Sequence, residues 1–170
     1  IIMHSTFVFL SSKHFLKLAV ISLVAMLSVG SAQSDQTLTL MQDLPIVTHI
    51  ELGAEGSTHG DIRAFEAVFR DGNGASGVIS GMLVTVEIPI GENGLFIDRI
   101  SQIVIDFGGV DTIVIAGKSV YPYGADEMTI DLPQVRAVVG GTGRYIGARG
   151  QMLTTRRDQG HYEHSITLID

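Results

Sequence analysis

Beyond residue 43, the chain alternates short runs of β-branched and other apolar residues with glycine-rich turns, spaced about every 10 to 15 residues. No window places apolar residues at the i, i+3, i+4, i+7 spacing of an amphipathic helix behind a capping residue. This pattern is typical of an all-β domain with tight connections. Eight strands are predicted, at about residues 44–54, 61–70, 76–88, 95–107, 112–121, 128–139, 144–157 and 161–169.

Some of these strands are apolar on both faces, as in 102–107 and 112–116. The outer face of an isolated small barrel is expected to be polar. Two interpretations are open: another subunit covers these positions, or they are the scattered exposed aliphatics of any protein surface. We favour the first, which predicts a homo-oligomer, either a dimer or a trimer.

The N-terminal segment 1–32 has a different character. Lys13 and Lys17 precede an apolar run at 18–29, and the small residues Gly30, Ser31 and Ala32 follow it. This order is that of a secretory signal peptide, and the run is shorter than the roughly 20 residues of a membrane span. The alternative is a permanent N-terminal anchor. We therefore expect a signal peptide at 1–32, a flexible segment at 33–43, a barrel domain at 44–170, and export to a periplasm or the cell exterior.

The charge and the cysteine content of the chain limit the kinds of partner and metal site that it can have. Removing residues 1–32 takes away two lysines and no acid, so the formal charge goes from −7 to −9. An acidic domain is a poor partner for nucleic acid or an anionic membrane. Cysteine is absent, which excludes disulfides and thiolate metal sites. His161 and His164 lie three apart on a predicted strand and so face opposite sides. We expect neither a metal nor another cofactor.

A glycine-rich segment at 140–150, Gly-Gly-Thr-Gly-Arg-Tyr-Ile-Gly-Ala-Arg-Gly, has two incompatible interpretations. One is a dinucleotide-binding turn, which requires a following helix and a further strand. The stretch after Gly143 is short for both, and Gly147, Gly150 and a pair of threonines within it disfavour a helix. The other is a turn and bend between two strands of a barrel, which we favour.

The same segment resembles the glycine motif of the dirigent and allene-oxide-cyclase superfamily, Gly-Gly-Thr-Gly followed by an aromatic residue and then Ala-Arg-Gly. Residues 111–118, Asp-Thr-Ile-Val-Ile-Ala-Gly-Lys, resemble a second strand of that family. The resemblance covers residues 95–169 well and the chain before Gly94 weakly. It implies an all-β, eight-stranded antiparallel β-barrel, usually trimeric, with a hydrophobic cavity open at one end. It also implies a cofactor-independent role in steering small organic molecules.

Two positions depart from the dirigent pattern. Arg144 stands where lignan-forming dirigents often carry an acid, and His49-Ile50-Glu51 replaces a His-Asp pair. Moving the acid by one residue turns it to the opposite strand face.

The resemblance points to Arg149, the arginine of the Ala-Arg-Gly motif, as a catalytic residue lining the barrel. The alternative is a salt-bridged structural arginine. Glu51 is the second catalytic candidate, as an inward carboxylate on the first predicted strand; the alternative is a solvated acid at the rim.

Further residues are candidates for binding substrate. Tyr145 alternates in phase with Arg149 and is either a cavity wall or plain core. Tyr121 and Tyr123 belong to the irregular segment 121–126, which we expect to be a lid or rim. Asp106 shares a strand face with Asp98, while Arg99 lies on the opposite face. Which of the two faces points inward is left open.

The sequence is compatible with three functions. The first is a cavity protein that steers the stereochemistry of a cyclisation or coupling, as a cyclase or isomerase or as a chaperone of an intermediate. The second is a non-catalytic carrier barrel for an apolar ligand, and the third is a structural domain filled by its own side chains. A buried arginine near a carboxylate favours the first, and uniformly apolar walls favour the second.

Overall fold

The computed structural model describes residues 35–53, 55–87 and 95–169, which belong to one compact unit, Ser34–Asp170. Within these ranges no helix has the length and hydropathy needed to span a membrane. The strands are β1 (Gln36–Gln42), β2 (Ile46–Ile50), β3 (Ile62–Asp71), β4 (Ser76–Glu87), β5 (Phe96–Asp106), β6 (Thr112–Pro122), β7 (Gln134–Thr142), β8 (Arg149–Arg156) and β9 (Tyr162–Ile169). Single 3₁₀ turns lie at Gly143–Tyr145 and Asp158–Gly160.

The strands form a closed antiparallel barrel. Their order around it is β1-β9-β8-β7-β6-β5-β4-β3, and β1 pairs with β3 to complete the ring. Eight strands enclose an interior of a size that side chains can fill or that can hold one small ligand. The predicted all-β, eight-stranded antiparallel barrel is confirmed. The predicted signal peptide at 1–32 lies outside the described residues and stays a prediction.

The first strand differs from its prediction. The sequence predicts a flexible segment over residues 33–43, but residues 36–42 of it form β1, which pairs with β9 along its whole length and with β3 at its end. After Pro45, which has no backbone N–H to donate, β2 continues alongside β3 alone. β1 alternates between buried and exposed side chains as a strand does, since Leu40 and Gln42 are buried and Met41 is exposed.

β7 and β8 both begin later than predicted. Residues 128–133 form a loop, in which Asp131 has a φ of 55° and Pro133 lacks a donor. Only an isolated bridge joins this loop to a strand, between Ile130 and Arg156. In the segment predicted as the start of β8, Gly143 and Gly147 have φ values of 59° and 79°, which break an extended strand.

The glycine segment lies at one end of the barrel, which we call the glycine end. Gly143 starts the 3₁₀ turn, where the Asp111 carboxylate accepts a hydrogen bond from the Arg144 backbone N–H at 3.0 Å. β8 then runs back along β7 and β9. The turn between two barrel strands is confirmed, and no helix of the dinucleotide-binding kind follows the glycines in the described part of the chain.

The interior at the glycine end is packed and apolar. Phe69 and Phe107 meet edge to face at 5.3 Å between ring centroids, and Phe107 contacts Tyr145 at 5.0 Å. The remaining buried side chains of this cluster are aliphatic or thioether groups. They are Leu40, Ile79, Ile103, Ile105, Ile113, Ile115, Val138, Met152, Ile166 and Leu168. The interior of this half of the barrel is therefore hydrophobic core.

Candidate functional site

Three buried arginines lie at the end of the barrel opposite the glycine segment, which we call the arginine end. β3, β5 and β7 run in the same direction, because each is separated from the next by one antiparallel strand. Arg63, Arg99 and Arg136 lie near the starts of these strands and are 7%, 1% and 3% exposed. Each shares its inward face with aliphatic or aromatic residues further along its strand, so the pleat directs all three guanidinium groups inside.

A small inner cavity of about 50 Å³ lies at this end. Its walls combine Arg63 and Arg136 with Tyr121, Tyr162 and His164. A larger open bowl of about 720 Å³ adjoins it at the mouth. The two spaces share Pro45, Val47, Asp126 and Met128 as lining residues.

Arg63 forms the ionic contact at the mouth. Its Nε donates a hydrogen bond to Asp126 Oδ1 at 3.1 Å, and the Nε2 atom of His49 lies 2.9 Å from Asp126 Oδ2. The Asp126 side chain is 38% exposed, whereas that of Arg63 is 9% exposed. The Nη1 atom of Arg63 is buried and has no hydrogen-bond partner among the described residues. This pair therefore leaves part of a buried cation unmatched.

Arg99 lies behind Tyr121. Its guanidinium carbon is 4.5 Å from the centroid of the Tyr121 ring, and its Nη2 donates to the Ala125 carbonyl at 3.2 Å. Its Nε and Nη1 atoms are buried without partners in the described structure. Burial lowers the pKa of Arg99, with the nearby charge of Arg63 acting in the same direction.

Arg136 is held by a short chain of hydroxyl groups. Its Nε donates to Ser119 Oγ at 2.8 Å, Ser119 contacts Ser101 Oγ at 3.2 Å, and Ser101 donates to the Gly117 carbonyl at 2.9 Å. Burial lowers the pKa of Arg136, although Tyr121 opposes that shift. The chain fixes the guanidinium group against the cavity wall, so its position is set before any ligand arrives.

The two cavity tyrosines remain protonated at neutral pH. Desolvation raises the pKa of Tyr121, against the opposing charge of Arg136. Desolvation likewise raises the pKa of Tyr162 to about 12. Both phenols are therefore available as hydrogen-bond donors in a largely water-excluded space.

His164 is a neutral member of the site. Its Nε2 is 3.0 Å from Gln42 Oε1, and its Nδ1 is 3.0 Å from Thr154 Oγ1. A proton on Nε2 satisfies both contacts, with Thr154 donating to Nδ1. Burial, assisted by Arg136, lowers the pKa of His164 to about 3. The ring is therefore uncharged at neutral pH.

This buried histidine predicts a pH dependence of stability. Between a pKa of about 6.5 in the unfolded chain and about 3 in the barrel, the unfolded state binds the extra proton. The free energy of unfolding should therefore fall as pH falls through this window, by up to about 1.4 kcal/mol per pH unit from this group, and His164 should contribute no slope above about pH 7. Urea denaturation of the wild type and of His164→Gln at several pH values measures the difference in slope.

The exposed His59 gives the matched control, since His59→Gln should keep the wild-type slope. The same slope in wild type and His164→Gln between pH 6.5 and pH 4 would show that the His164 ring is not held neutral.

Asp61 is a buried carboxylate beside the site, but its oxygens are committed to the loop that precedes β3. They accept hydrogen bonds from the backbone N–H groups of Leu52 at 2.9 Å and Thr58 at 2.6 Å, and from Thr58 Oγ1 at 2.8 Å. The bond from Leu52, followed by those from Thr58, lowers the pKa of Asp61 to about 2. Asp61 thus positions the loop that leads into Arg63.

The structure places the predicted site residues in different regions. Tyr121 lies in the inner cavity wall. Tyr145 is buried, but in the apolar cluster of the glycine end. Tyr123, in the loop after β6, is 53% exposed and lines neither of the two spaces at the arginine end.

The placement predicted for the two catalytic candidates is wrong. Arg149 is exposed at the start of β8, because the 3₁₀ turn after Gly143 breaks the alternation that linked it to Tyr145. Glu51 is exposed just beyond β2, as in the solvated alternative. Asp106 also faces outward, where its carboxylate accepts a hydrogen bond from Gly108 N–H at 2.7 Å.

The structure shows which face of β5 points into the barrel, a question that the sequence left open. Asp98 and Asp106 face outward, where Asp98 pairs with Lys118, and Arg99 faces inward. The sequence does contain a signal for the inward arginines. Arg63, Arg99 and Arg136 each lie near the start of alternate strands, on the same strand face as buried aliphatic or aromatic residues. In an antiparallel barrel such positions meet at one end.

The site shows no metal-binding arrangement. In the parts of the chain that the structure describes, no group of three or more His, Asp or Glu side chains is placed to hold a metal ion. The groups available for chemistry are guanidinium, phenol, hydroxyl, carboxylate and neutral imidazole.

These features define the class: a closed eight-stranded antiparallel barrel, packed and apolar at one end and polar with a cavity at the other. The sequence matches no protein-family profile and no curated protein. Among solved structures, a pyocyanin demethylase superposes with a TM-score of 0.57 at 18% identity, covering 79% of this chain and 99% of that one. The Diels–Alderase AbmU from Streptomyces koyangensis gives 0.59 at 15% identity, covering 95% and 82%.

A dirigent protein also shares the fold. The pterocarpan synthase dirigent protein GePTS1 superposes with a TM-score of 0.52 at 14% identity, covering 84% of this chain and 92% of that one. The chain is therefore similar to dirigent and cyclase-type barrels, as the glycine motif predicted. At these identities the likeness establishes the fold and leaves the activity to be argued from the site.

Proposed function

We propose that the barrel binds a small organic molecule at its arginine end and steers the stereochemistry of a cyclisation, or of the coupling of a reactive intermediate made elsewhere. One observation carries the proposal: a cavity whose walls combine apolar side chains with fixed, buried guanidinium groups and a carboxylate at its mouth. A carrier for apolar ligands has no need of these charges, since burying them is costly. Solved barrels of the same fold include a Diels–Alderase and a dirigent protein, which adds support.

The chemistry follows from confinement and charge placement. Holding a flexible substrate near its reactive shape removes much of the entropic barrier, worth up to about 7–11 kcal/mol in well-oriented systems. Fixed N–H and O–H donors in a water-poor cavity stabilise negative charge that develops on a substrate oxygen. Arg136 and Tyr121 supply such donors, and an intramolecular ring closure needs no oxidant or reductant.

The junction between the inner cavity and the bowl allows a direct test. Val47 lines both spaces, whereas Thr48, its neighbour in β2, is exposed on the opposite strand face. Val47→Trp should block the cavity, and Thr48→Trp should leave it open. In a host that lacks the chromosomal gene, we expect wild type and Thr48→Trp to restore one cyclised or coupled product in a single enantiomeric form, and Val47→Trp to fail.

Chiral chromatography coupled to mass spectrometry measures that product. An extract whose composition and enantiomeric ratios do not change on deletion of the gene would contradict the proposal. Restoration by Val47→Trp, with the variant folded, would show that the cavity is not the site of action.

We also propose that residues 1–32 direct export and that the barrel self-associates. The outer face of the sheet supports the second proposal, because Ile62, Val84 and Ile100 lie side by side across three strands, and Ile100 is 55% exposed. A second copy of the chain would cover this row. Native mass spectrometry of protein from its own host reports both the mature N-terminus and the number of subunits.

A further inference from the structure

The arginine end holds more buried positive charge than its carboxylates can match. Three buried arginines, Arg63, Arg99 and Arg136, share this end with the carboxylates Asp61 and Asp126, while Glu127 is paired there with Arg156. The Asp61 oxygens are already held by Leu52 and Thr58, and Asp126 is shared between Arg63 and His49. The buried charge in this described region is therefore at least +1.

Unmatched donors accompany this charge. Arg63 Nη1, Arg99 Nε and Arg99 Nη1 are buried without hydrogen-bond partners among the residues described. A buried donor left unsatisfied costs about 1–3 kcal/mol, and more when it is charged. Buried polar groups without partners are rare in native proteins, and a functional site is one of the places where they occur. Arg63 and Arg136 line the inner cavity, whereas Arg99 lines neither space. The unmatched donor of Arg63 and the excess positive charge of this end therefore make the cavity complementary to an anion.

The volumes of the inner cavity and the bowl indicate which part of a ligand each can hold. A water molecule needs about 10–15 Å³ of such volume, so the inner cavity of about 50 Å³ holds a group of a few heavy atoms. A carboxylate or a similar oxyanion is of that size, whereas a ring system is not. The bowl of about 720 Å³ at the mouth is large enough for a ring-containing body.

We infer that the substrate carries a carboxylate, which Arg63 and Arg136 bind in the inner cavity while the apolar body occupies the bowl. This rests on the proposed function and specifies its substrate class. The guanidinium fork suits a planar, two-oxygen anion. Because the anion binds in the inner cavity, that end of the substrate enters the barrel first. The apolar part of the substrate therefore lies at the mouth of the barrel in one orientation.

Three probes of the same shape and different charge test the inference: 4-phenylbutanoate, 4-phenylbutan-1-ol and 4-phenylbutylammonium. Isothermal titration calorimetry on the full chain at pH 7.5 measures their affinities. We expect the carboxylate to bind at least about 10-fold more tightly than the alcohol, because it forms charge-assisted hydrogen bonds. The ammonium should bind most weakly.

Arg136→Met should bring the carboxylate to within about 3-fold of the alcohol while alcohol binding persists. Arg63→Met gives the same comparison if Arg136→Met does not fold, as judged by circular dichroism. The control is Arg70→Met, since Arg70 is exposed and pairs with Asp43 at 3.2 Å. It should retain the wild-type preference.

Each remaining outcome is decisive. If alcohol and carboxylate bind equally and the arginine variants change neither, the anion site is wrong while a ligand-binding cavity stands. If the ammonium binds best, Asp126 governs the site and the inference is overturned. If no probe binds the wild type, the inference fails and the proposed cavity binding fails with it.

Discussion

Replacing Gly150 with alanine should lower the free energy of unfolding by about 3 kcal/mol or more, through backbone strain and steric overlap together. Gly150 has a φ of 140°, where a side chain is strained, and a Cβ there would overlap the backbone carbonyl oxygen of Thr167 on β9. Strain at such a backbone position costs about 1–3 kcal/mol. The overlap adds a similar amount because β8 and β9 must separate to relieve it. Thermal and urea denaturation measure the loss.

Gly147 is the matched control. Its φ of 79° is also positive, but nothing lies within 4 Å of a Cβ built there. Gly147→Ala should therefore cost only the conformational part, about 1–2 kcal/mol. Equal losses of stability in the two variants would contradict the close approach of β8 to β9 at Gly150.

Replacing Arg99 with methionine should raise the free energy of unfolding by about 2 kcal/mol, because apolar replacement of buried charged groups is often neutral or stabilising by about 1–4 kcal/mol. The change removes a buried cation with two nitrogens that have no partner in the described structure, and it leaves an unbranched side chain in its place. The lost contacts, with the Tyr121 ring and the Ala125 carbonyl, offset part of the gain.

Urea denaturation in the absence of ligand measures the change, with Arg70→Met as a surface control that should stay within about 0.5 kcal/mol of wild type. A loss of stability in Arg99→Met of about 2 kcal/mol or more would mean that Arg99 is a well-paired structural residue, since breaking a buried pair is strongly destabilising. A gain would identify the buried charge as a feature retained at the expense of stability, which is typical of functional sites.

Much of the fold could be predicted because its signals are local. Glycine-rich turns and β-branched runs located the strands from β3 to β6 and β9 to within about two residues. The segment 140–150 was assigned to a strand connection because the residues after Gly143 disfavour a helix. β1 was missed because residues 33–43 were assigned to a flexible segment, whereas β1 and β2 both pair with β3, one on each side of Pro45.

The site was predicted less well, for a physical reason. The glycine motif supplied Arg149 by resemblance, but inward or outward direction depends on strand phase, and the turn at Gly143–Tyr145 resets it. Tyr121 was identified only as a rim residue of an irregular segment. Arg63 and Arg136 were not identified, because a charged residue on a strand is by default assigned to solvent. Recognising them requires knowing which strand ends meet.

A crystal structure of the full chain with 4-phenylbutanoate would show whether a ligand enters at the arginine end with its oxyanion inward. We expect the carboxylate within hydrogen-bonding distance of Arg63 or Arg136 and the phenyl ring in the bowl beside Val47. A ligand bound at the glycine end or on the outer face, or with its ring inside and its carboxylate in solvent, would contradict this expectation.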